Sequence, residues 1–85
     1  MNIVKGVKKM FLMETKLDYL DILILSSLVR NGSRKVVAND VGISERTLRR
    51  HIKKLYTLLN VQNDIKLALA AINAGIVDSY GNILT

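Results

Sequence analysis

The sequence predicts a single all-α domain of four short helices, and three observations carry that prediction. The 85-residue chain contains no proline, the residue that most disrupts helix interiors. Glycines at 6, 32, 42, 75 and 81 punctuate it, and a good N-cap residue (Asp18, Ser33, Ser44 or Asn63) stands ahead of each helical stretch. Hydrophobic residues make up 49% and charged residues 24%, the balance of a compact globular domain. A chain this short supports one core, not two.

Asp18 caps a first helix over residues 19–30, Asp21 adds an acid to its first turn, and Asn31-Gly32 ends it. Ser33 caps a two-turn second helix over 34–40, ended at Val41-Gly42, where glycine takes the positive φ of a tight turn. Ser44 caps a long third helix over 45–59 with Glu45 at its positive end. After Asn60-Val61-Gln62, Asn63 caps a fourth helix over 64–74, which Gly75 stops. The domain is read as residues 15–78, preceded by an N-terminal extension (1–14) and followed by a tail (79–85) expected to fray. In the extension Ile3, Val7, Met10 and Phe11 recur at helical spacing. Residues 3–13 are then either an added helix covering Tyr19, Ile22 and Val29 of the first, or an unstructured start or linker remnant.

Composition excludes several classes of function. There is no cysteine, hence no disulfide framework, thiolate zinc site or thiol nucleophile. The longest apolar runs, residues 22–25 and 67–72, fall far short of the roughly 20 residues of a membrane span. Residues 1–13 show neither a continuous apolar region nor a small-residue cleavage site, so a cytoplasmic location is expected. His51 is the only histidine, and with no carboxylate constellation evident beside it neither metal binding nor general-base catalysis is expected. No cofactor and no enzymatic activity are expected.

The net charge is +6, and most of it sits in residues 44–54, which hold five bases (Arg46, Arg49, Arg50, Lys53, Lys54) against Glu45, a local +4. Advancing ~100° per residue, Arg49, Arg50 and Lys53 lie within about 60° of Arg46, while Leu48, Ile52, Leu55 and Leu59 lie opposite. An ordinary solvated face mixes signs so that neighbouring turns attract. Here Arg46, Arg49, Arg50 and Lys53 repel one another, which points to an external anion.

Residues 34–52 read Arg-Lys-Val-Val-Ala-Asn-Asp-Val-Gly-Ile-Ser-Glu-Arg-Thr-Leu-Arg-Arg-His-Ile, the spacing of a helix-turn-helix: small Ala38 at the helix crossing, Gly42 in the turn, Leu48 packing back. In that geometry the second helix lies in the major groove of duplex DNA, where arginine and lysine bond guanine O6 and N7.

Over residues 17–77 the chain resembles the LuxR-type (GerE-type) four-helix DNA-binding domain of bacterial transcription regulators. The resemblance rests on Leu17, Asp21 and Ile24-Leu25 in the first helix, Lys35, Val37 and Ala38 in the second, Gly42-Ile43-Ser44-Glu45 in the turn, Thr47-Leu48-Arg49-Arg50-His51-Ile52, similar to the family's Thr-Val-Lys-x-His stretch, and Leu58-Leu59-Asn60-Val61 before the fourth helix. It departs from the family pattern at Leu20 and Ile22, where charged residues are usual, at Gly32, where the loop glycine is shifted, and at Asp64-Ile65 in place of Arg-Thr. The resemblance implies sequence-specific double-stranded DNA binding by a regulator, a nucleoid location when bound, and a homodimer formed through the fourth helix.

On this reading Arg49, Arg50 and Lys53 face base edges. Arg46 and Lys54 flank them on phosphates, Ser44 and the adjoining helix amides bind a further phosphate, and Thr47 joins the set. His51 packs beside the core or donates to a phosphate. Lys35, with Arg34, reaches the backbone of a neighbouring strand or, alternatively, Lys35 pairs with Asp21. In the fourth helix Ile65, Ala68, Leu69, Ile72 and Ile76 are expected to face the core, leaving Leu67, Ala70, Ala71 and Ala74 for a two-fold partner that would set two recognition helices about 34 Å apart; alanines are also tolerated on exposed helix faces for propensity alone. With no receiver or ligand-binding domain in 85 residues, regulation is expected through abundance, dimerisation or a protein partner. The competing reading is a protein-interaction module binding an acidic partner such as a polymerase subunit or a protein regulator, with Ile22 and Leu67 as its sensitive positions.

Overall fold

In the computed structural model, which describes residues 17–84, four helices follow one another: α1 (Tyr19–Asn31), α2 (Arg34–Val41), α3 (Glu45–Leu59) and α4 (Asp64–Asn73). The expected added helix over 3–13 lies outside the described residues. Each helix starts where a side chain or backbone oxygen satisfies its first amides. Asp18 and Asp21 form a reciprocal capping box at α1, with Asp21 N donating to Asp18 Oδ1 (2.9 Å) and Asp18 N to Asp21 Oδ2 (3.2 Å). Ser44 Oγ accepts from Thr47 N at α3 (3.0 Å) and Asn63 Oδ1 from Lys66 N at α4 (2.8 Å). Ser33 departs from expectation: its hydroxyl makes no cap bond, and its backbone oxygen accepts from Val37 N (2.8 Å) instead.

The central element is α1, which packs against each of the other three helices, while α3 also lies across α2 and α4. Ile24, Leu25 and Leu28 of α1 meet Val37 and Ala38 of α2, Leu48, Ile52 and Leu55 of α3, and Leu67 and Ala71 of α4 in one buried cluster closed by Ile76 and Val77. Burying apolar surface contributes about 25 cal/mol per Å², so this one cluster is the main source of stability. Between α2 and α3 the chain reverses at Gly42 (φ 85°), whose N–H and that of Ile43 both donate to Ala38 O. A side chain at that φ would be strained, and the turn it makes brings α3 across α2.

Two expectations about the surface are corrected. Ile22, placed on an uncovered face of α1, is only 7% exposed, and Val29 is partly buried against the core, so of the three residues only Tyr19 stands out in solvent. The C-terminal residues, expected to fray, fold back onto α1. Val77 and Ile83 form an antiparallel bridge, Asp78 Oδ1 accepts from the amides of Tyr80 and Asn82 (both 2.9 Å), and Gly81 O accepts from Ser26 Oγ and Arg30 Nη1. Gly81 sits at φ 86°, and a Cβ there would stand 2.8 Å from Ser26 O. Only glycine lets the tail approach so closely.

Candidate nucleic-acid interface

Segregation of side chains on α3 follows its sequence pattern. Leu48, Ile52 and Leu55 are buried and Leu59 is partly buried, while Arg46, Arg49, Arg50 and Lys53 are exposed on the other side. Among the described residues none of these four cations has a carboxylate within ion-pairing distance. At the start of the helix Ser44 Oγ and Thr47 Oγ1 bond each other at 3.0 Å, so both hydroxyls are already oriented by the cap. Exposed Lys35 joins Ser44 and Glu45 along a shallow cleft of about 490 Å³ between α2 and the N-terminus of α3, whose floor includes Ala38 and Ile43.

Lys54 and His51 are arranged differently from the expected DNA-facing set. Both reach Asp21, which α1 presents fully buried. His51 Nδ1 lies 2.8 Å from Asp21 Oδ1, and Lys54 Nζ lies 2.5 Å from Asp21 Oδ2 and 3.9 Å from Asp18 Oδ2. A buried carboxylate is costly unless paired and hydrogen-bonded, and here Asp21 gains the Lys54 ammonium, a hydrogen bond with the His51 ring and the Asp18 amide. The alternative partner expected for Asp21, Lys35, is therefore excluded by Lys54 and His51. A carboxylate constellation does stand beside His51: Asp18, Asp21 and the ring nitrogen lie within 4.8 Å of one another. The Lys54 ammonium occupies the place a cation would take between the acids, which makes the group an ion-pair network. Asp18 is held below the usual carboxylate range chiefly by the Asp21 amide, with Lys54 and His51 adding to it.

Two further networks fix the elements that carry α3. Arg34 at the start of α2 donates from Nε and Nη2 to Asp64 (2.8 and 3.0 Å) and from Nη2 to Tyr56 Oη (3.0 Å), and Tyr56 in turn donates to Asp64. The Arg34 hydrogen bonds hold the Asp64 carboxyl below its ordinary range, and the Asp64 bond raises the guanidinium further. Desolvation, with Asp64 adding to it, pushes the Tyr56 phenol up. Arg34 is thus a bracket between α2, α3 and α4, and Asp64, a departure from the family pattern, is its acceptor. At the other end of α2, Asp40 accepts from Ser27 Oγ (2.7 Å) and Arg30 Nη2 (3.1 Å), which lower its carboxyl. Sequence reasoning missed both brackets because the partners lie 30 and 10 residues apart.

The expected faces of α4 hold in part: Ile76 is buried and Ala68 and Ile72 pack against the core as expected, but two residues on each side are exchanged. Leu67 and Ala71, assigned to a partner, are fully buried, whereas Ile65 (76% exposed) and Leu69 (53%) stand in solvent. Ala70 and Ala74 are half-buried. Because α4 is apolar nearly all round, its periodicity does not single out a core side. The outward face is formed by Ile65 and Leu69, which with Leu28, Val29, Ala68 and Ile72 line a shallow concavity of about 300 Å³.

The fold is that of an all-α helix-turn-helix domain. No protein-family model and no solved structure matches the chain. The chain is similar to the transcriptional regulatory protein YdfI of Bacillus subtilis, 27% identical over 64 residues, which are 75% of this chain and 30% of that protein. It therefore spans less than a third of the relative's length. No helix of the described residues is long and apolar enough to cross a membrane.

Proposed function

We propose that this chain is a sequence-specific duplex DNA-binding unit of a transcription regulator, of the LuxR type, with α3 as its recognition helix. The observation that carries the reading is the row Arg46, Arg49, Arg50 and Lys53 on the outward face of the second helix of the helix-turn-helix, without local counter-ions among the described residues. Such a row is electrostatically unfavourable in the isolated protein and is relieved by phosphates. Arg49, Arg50 and Lys53 read base edges, and Arg46, Ser44, Thr47 and Lys35 hold the backbone. Similarity to a transcriptional regulatory protein supports the regulator role. A homodimer through α4 is part of the reading, with its contacts moved from Leu67 and Ala71 to exposed Ile65 and Leu69.

The test is selection from a pool of randomised duplexes. The expected result is enrichment of a two-fold-related pair of half-sites about one helical turn apart, with Leu69→Asp reducing the recovered site to a single half. Retention without enrichment would remove the specificity claim, and no retention even at low salt would overturn DNA binding. The apolar face of Ile65 and Leu69 favours one second reading, a surface for a protein regulator or RNA polymerase, which would then become the primary one.

A further inference from the structure

We propose that His51 is a proton-coupled phosphate contact: its imidazole, oriented by buried Asp21, binds a DNA backbone phosphate in the cationic form, so that the duplex is held more tightly as pH falls. This rests on the DNA-binding reading and assigns a specific device to it.

Four features of the structure point there. His51, Arg50 and Lys54 line one shallow surface cleft of about 210 Å³ next to the cationic row of α3. One ring nitrogen, Nδ1, is taken by Asp21 Oδ1 at 2.8 Å. The other, Nε2, has no hydrogen-bond partner among the described residues, and no side-chain nitrogen or oxygen among them is both buried and unsatisfied. Nε2 therefore reaches solvent, on a residue that shares its cleft with Arg50 and Lys54. Asp21 is itself held in place: it is fully buried at the first turn of α1 and contacted by the Asp18 amide and by Lys54 Nζ.

The protonation state follows from the acceptors. A carboxylate and a phosphate can only accept, so a ring placed between Asp21 and a phosphate needs a proton on each nitrogen, which is the imidazolium. With Asp21 accepting from Nδ1, a neutral ring turns a lone pair toward the phosphate. The charged groups around the ring are Asp18 and Asp21 from α1 and Arg50 and Lys54 from α3; among the described residues α2 and α4 place no charged group in hydrogen-bonding or ion-pairing contact with it. With the ring neutral, the two acids and two bases of this cluster cancel, and the added proton supplies the positive charge that a phosphate diester matches. By linkage, a ligand that prefers the protonated form draws protons onto it. His51 is the only histidine in the chain, so its contribution can be read without interference from another imidazole.

The experiment measures the dissociation constant for a labelled duplex by fluorescence anisotropy at pH 8.0 and 6.0, at fixed ionic strength, for the wild type and His51→Gln. The wild type is expected to bind about fivefold more tightly at pH 6.0, in keeping with one charge-assisted hydrogen bond, and His51→Gln to bind at both pH values with that difference removed. The unchanged N-terminal amine of the variant controls for the other group that titrates near neutrality. Nitrogen-detected NMR of the wild-type ring, with and without duplex, needs no folded variant: both nitrogens are expected to be protonated in the complex at pH 7.0. Tight wild-type binding that is indifferent to pH, or a bound ring with Nε2 unprotonated, would overturn the proton coupling and leave DNA binding standing. Absence of duplex binding at either pH would overturn both.

Discussion

Seven cations of this small domain fall into two sets that behave in opposite ways. Arg30, Arg34 and Lys54 each meet a carboxylate, from Asp40, Asp64 and Asp21 respectively, and each tie joins one helix to another. Arg46, Arg49, Arg50 and Lys53 lie on one face of α3 and meet none among the described residues. The first set spends its charge inside the fold and the second keeps it for the surface. Lys54, one residue beyond Lys53, marks the boundary, because the helical twist carries its side chain round toward the start of α1. What the contrast teaches is that density of positive charge in a sequence overstates the row of cations left without a carboxylate among the described residues, and that position on the helix decides which bases belong to it.

The comparison breaks most visibly at the surface set. Replacing Arg49 and Arg50 together by alanine is expected to weaken duplex binding by about 100-fold or more, each lost base or phosphate contact being worth roughly 1–3 kcal/mol, while urea unfolding stays unchanged. A parallel loss of stability would mean that the row is structural.

The internal set responds in the reverse sense. Asp21→Ala removes the buried acceptor of His51, Lys54 and the Asp18 amide, and is expected to cost about 2–3 kcal/mol in urea unfolding, the half-exposed Lys54 keeping the figure below that of a fully buried pair. Arg34→Gln breaks the bracket to Asp64 and Tyr56 and is expected to cost about 1 kcal/mol, since the guanidinium is partly solvated. Stability unmoved by either change would show that these ties do not hold the helices together.

A gentler probe is acid. The carboxyls of Asp18 and Asp64 lie below their ordinary range in the folded protein, so the stability they contribute is complete above the unfolded value near pH 4 and is lost as pH falls through the folded values. Thermal melts are expected to hold from about pH 8 to 5 as far as these groups are concerned and to fall below pH 4. In Asp64→Asn the acid limb becomes shallower.

Much of this was legible in the residues. The four helices end within a residue or so of where their caps and glycines place them, and α3 divides cleanly because its apolar and cationic residues each keep to one side. The same pattern failed for α4, where apolar residues surround the helix and only tertiary packing selects Leu67 and Ala71 for the core over Ile65 and Leu69. The tail was misread because its order comes from Asp78 and Gly81, a local turn and a close approach to Ser26, neither of which leaves a periodic signal. Within the candidate site the cationic row was visible, but the partner of Asp21 was not. Asp21 and His51 lie 30 residues apart, and only the crossing of α1 and α3 brings them together.

The most direct measurement compares the salt dependence of duplex binding for the wild type, Arg30→Gln and the Arg49→Ala, Arg50→Ala double variant. If the surface set alone neutralises phosphates, the slope of log affinity against log salt is reduced by about one to two in the double variant and is unchanged in Arg30→Gln. Equal slopes in all three proteins, or an equal reduction in both variants, would contradict the division between internal and surface cations.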